Sequence, residues 1–276
     1  MNSNFIDFIE IGTSDFETEI QLKNNKTGLS IEPIQYYLNK LPEKKNCLKL
    51  NLAISDKNSE TNVFFLKPEI IKKYNLPECL RGCNSIGSHH PTVNRILKEN
   101  NINIEENITS YKVKTKTLYN VIIENNINGF FYLKIDTEGH DTYILKQFFN
   151  DVSNNNYLLP HEIKFESNIL TNKNNLHDII NCYISIGYDL IYSKNDTLMK
   201  LNLKKIKNKK NFIYIENYTI INNNKYKNIY FDNIDFANKF CIENNSSGYY
   251  IKNNLYYIID GNYLAYNEKD SIILYI

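Results

Sequence analysis

The stretch Leu133-Lys134-Ile135-Asp136-Thr137-Glu138-Gly139-His140-Asp141 crowds three acids and a histidine around one glycine, directly after an apolar run from Phe130 to Ile135. Carboxylates so placed can hold a cationic ligand, and an imidazole or carboxylate can take a proton from a hydroxyl. A second group of this kind follows Phe5–Ile11, where Glu10-Ile11-Gly12 leads into Thr13-Ser14-Asp15. A third is Glu32, between Ile31 and Pro33. The remaining concentration is Leu80-Arg81-Gly82-Cys83-Asn84-Ser85-Ile86-Gly87-Ser88-His89-His90-Pro91; the chain's two arginines, Arg81 and Arg95, lie in or beside it.

A dinucleotide-binding turn needs three glycines so that the backbone can approach a pyrophosphate. Here only Gly12 is present, followed by Thr, Ser and Asp, which disfavours a nicotinamide dinucleotide. An acid at the end of the second strand, Glu32, is placed to accept hydrogen bonds from both ribose hydroxyls and counts against a 2′-phosphate. Adenosine without a pyrophosphate, held beside acids, points to S-adenosylmethionine, whose sulfonium and ammonium favour carboxylate neighbours such as Glu10 and Asp136.

These groups need elements to carry them. Phe5–Ile11, Gly28–Ile31 and Cys47–Ile54 read as strands, with helices expected over Phe16–Lys23 and Ile34–Leu41. This β-α-β-α-β run is the half-unit of a doubly wound sheet. Val63–Leu66 reads as an edge strand, and the polar insertion around residues 80–91 as a lid or substrate loop. Tyr111–Lys116 reads as a short strand and Thr117–Asn125 as a helix feeding the central strand over 130–135. Another helix, a fifth core strand at Glu162–Glu166 and a helix over Leu176–Ile186 follow. A hairpin of Tyr188–Tyr192 and Thr197–Leu203 closes the sheet. Past the basic run Lys204–Lys210, a solvated linker, short alternating segments at 212–215, 228–231, 249–251, 255–259 and 272–276 predict a small antiparallel β module. The expected division is therefore residues 1–203 and 204–276.

At 276 residues and 42% hydrophobic content the chain can bury a substantial core. A net charge of +1 gives no electrostatic case for nucleic acid or an anionic membrane. No apolar run approaches the roughly 20 residues that span a bilayer, and no leader is evident, so a cytoplasmic protein is expected. Five scattered cysteines suit reduced thiols. The abundance of Asn, Lys, Ile and Tyr reads as AT-rich coding bias, which discounts Lys-rich and Asn-rich stretches as signals.

The ordered set Phe8-Ile9-Glu10-Ile11-Gly12-Thr13, Ile31-Glu32-Pro33, Leu52-Ala53-Ile54-Ser55-Asp56 and Leu133-Lys134-Ile135-Asp136-Thr137-Glu138-Gly139-His140 resembles FkbM-type methyltransferases over roughly residues 5–203. The resemblance implies a class I methyltransferase fold: an α/β, doubly wound, mostly parallel seven-stranded sheet. It also implies S-adenosylmethionine as cofactor and O-methylation of a sugar, glycan or glycosylated small molecule. It places Glu10, Gly12, Thr13 and Ser14 around the methionine part, Glu32 on the ribose, Ala53 and Ile54 beside the adenine, and Asp136 at the reacting centre, with Asp15 also among the cofactor-binding residues. Asp15-Phe16 stands where the family's loop often has a second glycine.

Proton removal from a hydroxyl calls for a base, and the candidates are His140, Asp136, His89 and His90, with His140 favoured and His90 next. Glu138 reads equally well as a helix-start acceptor of backbone N–H groups, and Glu166 as a second acid or a cap. Cys79, Cys83, His89 and His90 have loose zinc spacing but no second matched pair, so no metal is expected. A methyltransferase-like recognition protein without catalysis is the alternative, and a homo-oligomer is compatible with either reading.

Overall fold

The computed structural model describes residues 4–15, 18–22, 25–153, 158–206, 212–221, 226 and 229–275. In chain order, β1 (Phe5–Ile11), α1 (Glu19–Leu22), β2 (Gly28–Ile31), α2 (Gln35–Leu38) and β3 (Cys47–Leu50) come first. An inserted region follows: β4 (Ala53–Ile54), β5 (Ser59–Leu66), α3 (Pro68–Lys73), a 3₁₀ turn at Glu78–Arg81, β6 (Ser85–Ile86), α4 (Pro91–Glu99), α5 (Ile104–Asn107) and β7 (Ile108–Lys116). The chain then returns through α6 (Leu118–Glu124), β8 (Gly129–Ile135), α7 (Asp141–Val152), β9 (Glu162–Glu166), α8 (Lys173–Ser185), β10 (Tyr188–Ser193) and β11 (Asp196–Leu201). It ends with β12 (Phe212–Ile221), β13 (Tyr230–Phe231), α9 (Ile234–Asn244), β14 (Gly248–Lys252), β15 (Leu255–Ile259) and β16 (Tyr263–Tyr275).

The fold is mixed α/β around a seven-stranded sheet of order β10-β11-β9-β8-β1-β2-β3. Strands β3, β2, β1, β8 and β9 run parallel, β11 is antiparallel to β9, and β10, antiparallel to β11, runs in the direction of the parallel set. Two directions of winding meet at β1: the chain steps outward to β2 and β3, then crosses to β8 and β9 on the other side. Strands β1 and β2 are apolar because both faces are covered; Ile9, Ile11, Leu29 and Ile31 are all buried. Phe130, Leu133 and Ile135 of β8 join them in one core with Val121 and Ile122 of α6, Ile144, Leu145 and Phe148 of α7, and Tyr183 of α8. Helix α6 starts where Thr117 Oγ1 accepts from Asn120 N–H, and α8 where the Asn172 side chain accepts from Asn174 and Asn175 N–H.

Several elements differ from the sequence reading. Cys47–Ile54 is two strands: β3 ends at Leu50, and Ala53-Ile54 pairs with Thr115-Lys116 in a second, four-stranded sheet of order β4-β7-β5-β6. The Asn51 amide donates to the carbonyls of Glu32 (3.0 Å) and Pro33 (2.9 Å), pinning the chain where it leaves the main sheet. Strand β5 is interior to its sheet, between β7 and β6, not an edge. The insertion has its own core, with Leu66, Ile71, Leu80, Val93 and Leu97 packed together. The expected helix over 16–23 is observed as α1; Phe16, Glu17 and Lys23 lie outside the described residues, as do 207–210, Asn228 and Ile276.

The C-terminal segments form a five-stranded sheet of order β12-β16-β14-β15-β13, and α9 packs against it, a helix the strand-like alternation did not reveal. This sheet is joined to the first. Tyr218 stacks on Phe131 at 4.8 Å and donates to Asp7 Oδ1 at 2.7 Å, and Leu264, Ile272 and Leu274 belong to the main core. Among the described residues no helix is long and apolar enough to cross a membrane.

Candidate active site

Three strand ends set the site. Ile11 is in register with Ile31 and with Ile135, and Ile31 with Leu50. The ladder continues one step beyond each: Gly12 N–H donates to Ile31 O, Glu32 N–H to Leu50 O and Asp136 N–H to Ile11 O, at 3.0, 3.1 and 3.0 Å. Gly12, Glu32 and Asp136 therefore emerge side by side at the carboxyl edge, where the winding reverses and where open α/β sheets bind ligands. Gly12 has φ +77°, and a Cβ there would lie 2.0 Å from the Asp136 carbonyl oxygen. The two loops approach so closely that only glycine fits.

Above these ends lies a cavity of about 350 Å³, within the range of small-molecule sites. Of the sequence-predicted residues, Gly12, Thr13, Ser14, Glu32, Ala53, Ile54 and Asp136 are on its wall. The roof comes from the insertion: Cys79 and the segment Gly82–Ile86. Thr137, Glu138 and Glu166 complete the side beneath β8 and β9.

Glu10, Asp15, His90 and His140 are not on that wall. The Glu10 carboxylate, 1% exposed, accepts from Glu19 N–H at 2.6 Å, Ile20 N–H at 3.3 Å and Ser30 Oγ at 2.5 Å, so it anchors the start of α1 to β2. Burial outweighs those bonds and raises its pKa. Asp15 pairs with Arg81 and, at 3.0 Å, with Lys40. Burial pushes its pKa up, but the two cations outweigh that and hold it below the usual range. Through Arg81 the insertion is tied to the loop after β1.

His140 Nε2 is 3.0 Å from Ser55 Oγ, and its ring stacks on Tyr143. Burial lowers its pKa. His90 is 3% exposed. It caps α4, Nδ1 accepting from Thr92 N–H at 3.2 Å, which leaves the ring proton on Nε2 to donate to Glu138 Oε2 at 3.0 Å. This is a second tie between insertion and sheet. His89, by contrast, turns away to pack edge-on against Phe64.

Glu32 is buried, accepting from Ser14 N–H at 2.7 Å and Ile34 N–H at 2.8 Å, and burial pushes its pKa to about 7. Asp136, Glu138 and Glu166 bring carboxylate oxygens within 4.8 Å of one another. Burial raises the pKa of Asp136, as does Glu138 beside it. Burial, then Glu138 and Asp136, push that of Glu166 to about 9. Glu138 also has φ +55°, a left-handed conformation that costs of order 1–3 kcal/mol and tends to persist at functional sites. Behind them Asp141, fully buried, accepts from Thr137 N–H and Oγ1 and from Glu166 N–H, which locks the β8 loop to the end of β9.

Sequence reasoning left Glu138 and Glu166 undecided, although both stand at the ends of neighbouring parallel strands. Cys83 joins them: ligand atoms of Cys83, His90 and Glu138 also lie within 4.8 Å of one another. The spacing grouped Cys83 with His90 but not with Glu138, because that meeting depends on how the insertion folds back.

The chain matches the family described as Methyltransferase FkbM domain over residues 9–186. No curated protein and no solved structure matches it. The matched segment runs from within β1 into the end of α8 and contains every residue of the cavity wall, so this chain, a methyltransferase by its cavity-bearing domain, belongs to the FkbM methyltransferase family.

Proposed function

We propose that the chain moves the methyl group of S-adenosylmethionine to a hydroxyl of a sugar, glycan or glycosylated small molecule, with the doubly wound unit of residues 1–203 as its catalytic part. The observation that carries this reading is the convergence of Gly12, Ser14, Glu32 and Asp136 on one cavity at the reversal of the sheet. The wall suits such a donor. Ser14 Oγ is buried on it without a hydrogen-bond partner among the described residues, and Ile31, Leu52, Ala53 and Ile54 offer an apolar slot for a flat base.

In this reading the donor supplies a methyl already activated by a sulfonium. The protein's tasks are alignment and deprotonation of the acceptor. Glu32 receives ribose hydroxyls on the lone pairs its two backbone donors leave free. The cluster of Asp136, Glu138 and Glu166 faces the positive end of the donor, where a cation relieves the mutual repulsion of the carboxylates. The insertion roof excludes water, held on one side by Arg81–Asp15 and on the other by His90–Glu138.

The test is calorimetric titration with S-adenosylmethionine and S-adenosylhomocysteine. Micromolar binding is expected, weakened at least about tenfold in Asp136→Ala for S-adenosylmethionine, by loss of a charge-assisted contact of about 1.5–3 kcal/mol. Absence of binding for both compounds would overturn the reading.

A further inference from the structure

We propose that Cys83, His90 and Glu138 form a binding site for a divalent cation of the zinc class. Thiolate, imidazole and carboxylate are the donor set of zinc sites, whereas a thiolate is foreign to magnesium and calcium. The three residues come from two segments far apart in sequence, the insertion and the loop after β8. Cys83 follows the 3₁₀ turn of the insertion, His90 opens α4, and Glu138 belongs to the loop after β8.

The geometry is close to what coordination requires. Metal–ligand bonds of about 2.0–2.3 Å in a tetrahedron put ligand atoms roughly 3.3–3.6 Å apart. Here His90 Nε2 and Glu138 Oε2 are 3.0 Å apart, and the three ligand atoms all lie within 4.8 Å. Side-chain rotation of Cys83 closes the difference. Asp136 and Glu166 crowd the same Glu138 carboxylate, so a divalent charge is welcome there.

Binding has a defined proton balance. The ring proton of His90 moves from Nε2 to Nδ1, giving up the cap bond from Thr92 N–H, at about 1 kcal/mol. The Cys83 thiol loses its proton to solvent as the sulfur–metal bond forms. Cys83 and Glu138 both line the cavity, so the position left open by three protein ligands is available there to a water or an acceptor oxygen. The cation also bridges insertion and sheet, reinforcing the existing His90–Glu138 tie.

The site shares Glu138 with the carboxylate cluster that faces the proposed donor, but its test uses the metal alone. Full-length protein, stripped with chelator, is titrated with zinc by calorimetry and with cobalt(II) by absorption spectroscopy. The expected result is one equivalent bound, with a thiolate-to-cobalt band and the visible bands of tetrahedral cobalt. Cys83→Ser should abolish the thiolate band. His90→Gln and Glu138→Gln should each weaken zinc at least about a hundredfold, since even outer-shell partners are worth about 10–100-fold. His89→Gln, a neighbouring histidine outside the trio, should not change affinity. Circular dichroism confirms that each variant is folded. A thiolate band persisting in Cys83→Ser, zinc binding indifferent to His90→Gln, or no binding by the folded wild type would overturn the proposal. S-adenosylhomocysteine binding, measured on the same stripped sample, reports separately on the donor site.

Discussion

Replacing Gly12 with alanine probes the closest backbone approach in the site. At φ +77° an L-residue costs about 1–2 kcal/mol. The new methyl would lie 2.0 Å from the Asp136 carbonyl oxygen, 2.9 Å from its carbonyl carbon and 3.3 Å from Thr137 Cγ2. Carbon–oxygen contacts are comfortable at roughly 3.3 Å, so the ends of β1 and β8 must part by more than an ångström. That strains packing by about 1–3 kcal/mol. It also threatens the Asp136 N–H to Ile11 O bond, worth about 1 kcal/mol. The expected loss is about 3–6 kcal/mol, comparable with the whole stability of many domains. Gly87→Ala separates the two causes: its φ is +81°, but nothing lies within 4 Å of the added Cβ. It should lose only about 1–2 kcal/mol. Urea unfolding followed by circular dichroism measures both, and calorimetry with S-adenosylhomocysteine reports the displaced Asp136. If Gly12→Ala comes within about 1 kcal/mol of Gly87→Ala, the steric argument for this turn is wrong.

Burial pushes Asp141 to about 7, so the folded state binds its proton more tightly than the unfolded chain and its contribution to stability falls as pH rises through roughly 4 to 7. Relative to wild type, Asp141→Asn should therefore gain on the order of 3 kcal/mol between pH 4.5 and 8 in urea unfolding; a pH-independent difference would count against a buried, protonated Asp141. Donor binding places a cation beside Glu166, raised to about 9, and so should release protons at pH 8, read as a buffer-dependent binding enthalpy; uptake of protons would contradict the placement. Phe148, 1% exposed in the main core, should cost about 3–5 kcal/mol on truncation to alanine, and a loss below 1 kcal/mol would mean the core is misdescribed. His140→Ala removes a bond to Ser55 off the cavity wall, so it should cost about 1 kcal/mol of stability with S-adenosylhomocysteine affinity unchanged; a large loss of affinity would place the imidazole in the donor site.

The strands that carry the site were legible because their signals are local. Phe5–Ile11 and Phe130–Ile135 are apolar runs broken by acids and a glycine, and a strand buried on both faces leaves that mark whatever surrounds it. Thr117 and Gly187 likewise bracketed their helices within a residue or two. Where signals are shared between structures, reading failed. The alternation Leu48, Leu50, Leu52, Ile54 runs unbroken across a change of sheet, because period-2 patterning does not specify the partner strand. The helix α9 hid among strand-like segments for the same reason. Strand β5 looked like an edge because its partners, β7 and β6, lie across the insertion.

The sequence by itself determined that Gly12, Glu32 and Asp136 sit at strand ends, since an apolar run and the polar residue that stops it are neighbours in the chain. Register across parallel strands then brings those ends to one edge. Only the tertiary structure decided which acids face the cavity and which are consumed as anchors. Glu10 and Glu32 look alike in sequence, yet Glu10 is turned to the backbone of Glu19 and Ile20 while Glu32 remains on the wall. It alone decided, too, that Cys83 and His90 meet Glu138 and that His140 turns to Ser55. Such meetings join segments tens of residues apart, and their geometry is set by how the insertion packs back over the sheet, which no local pattern encodes.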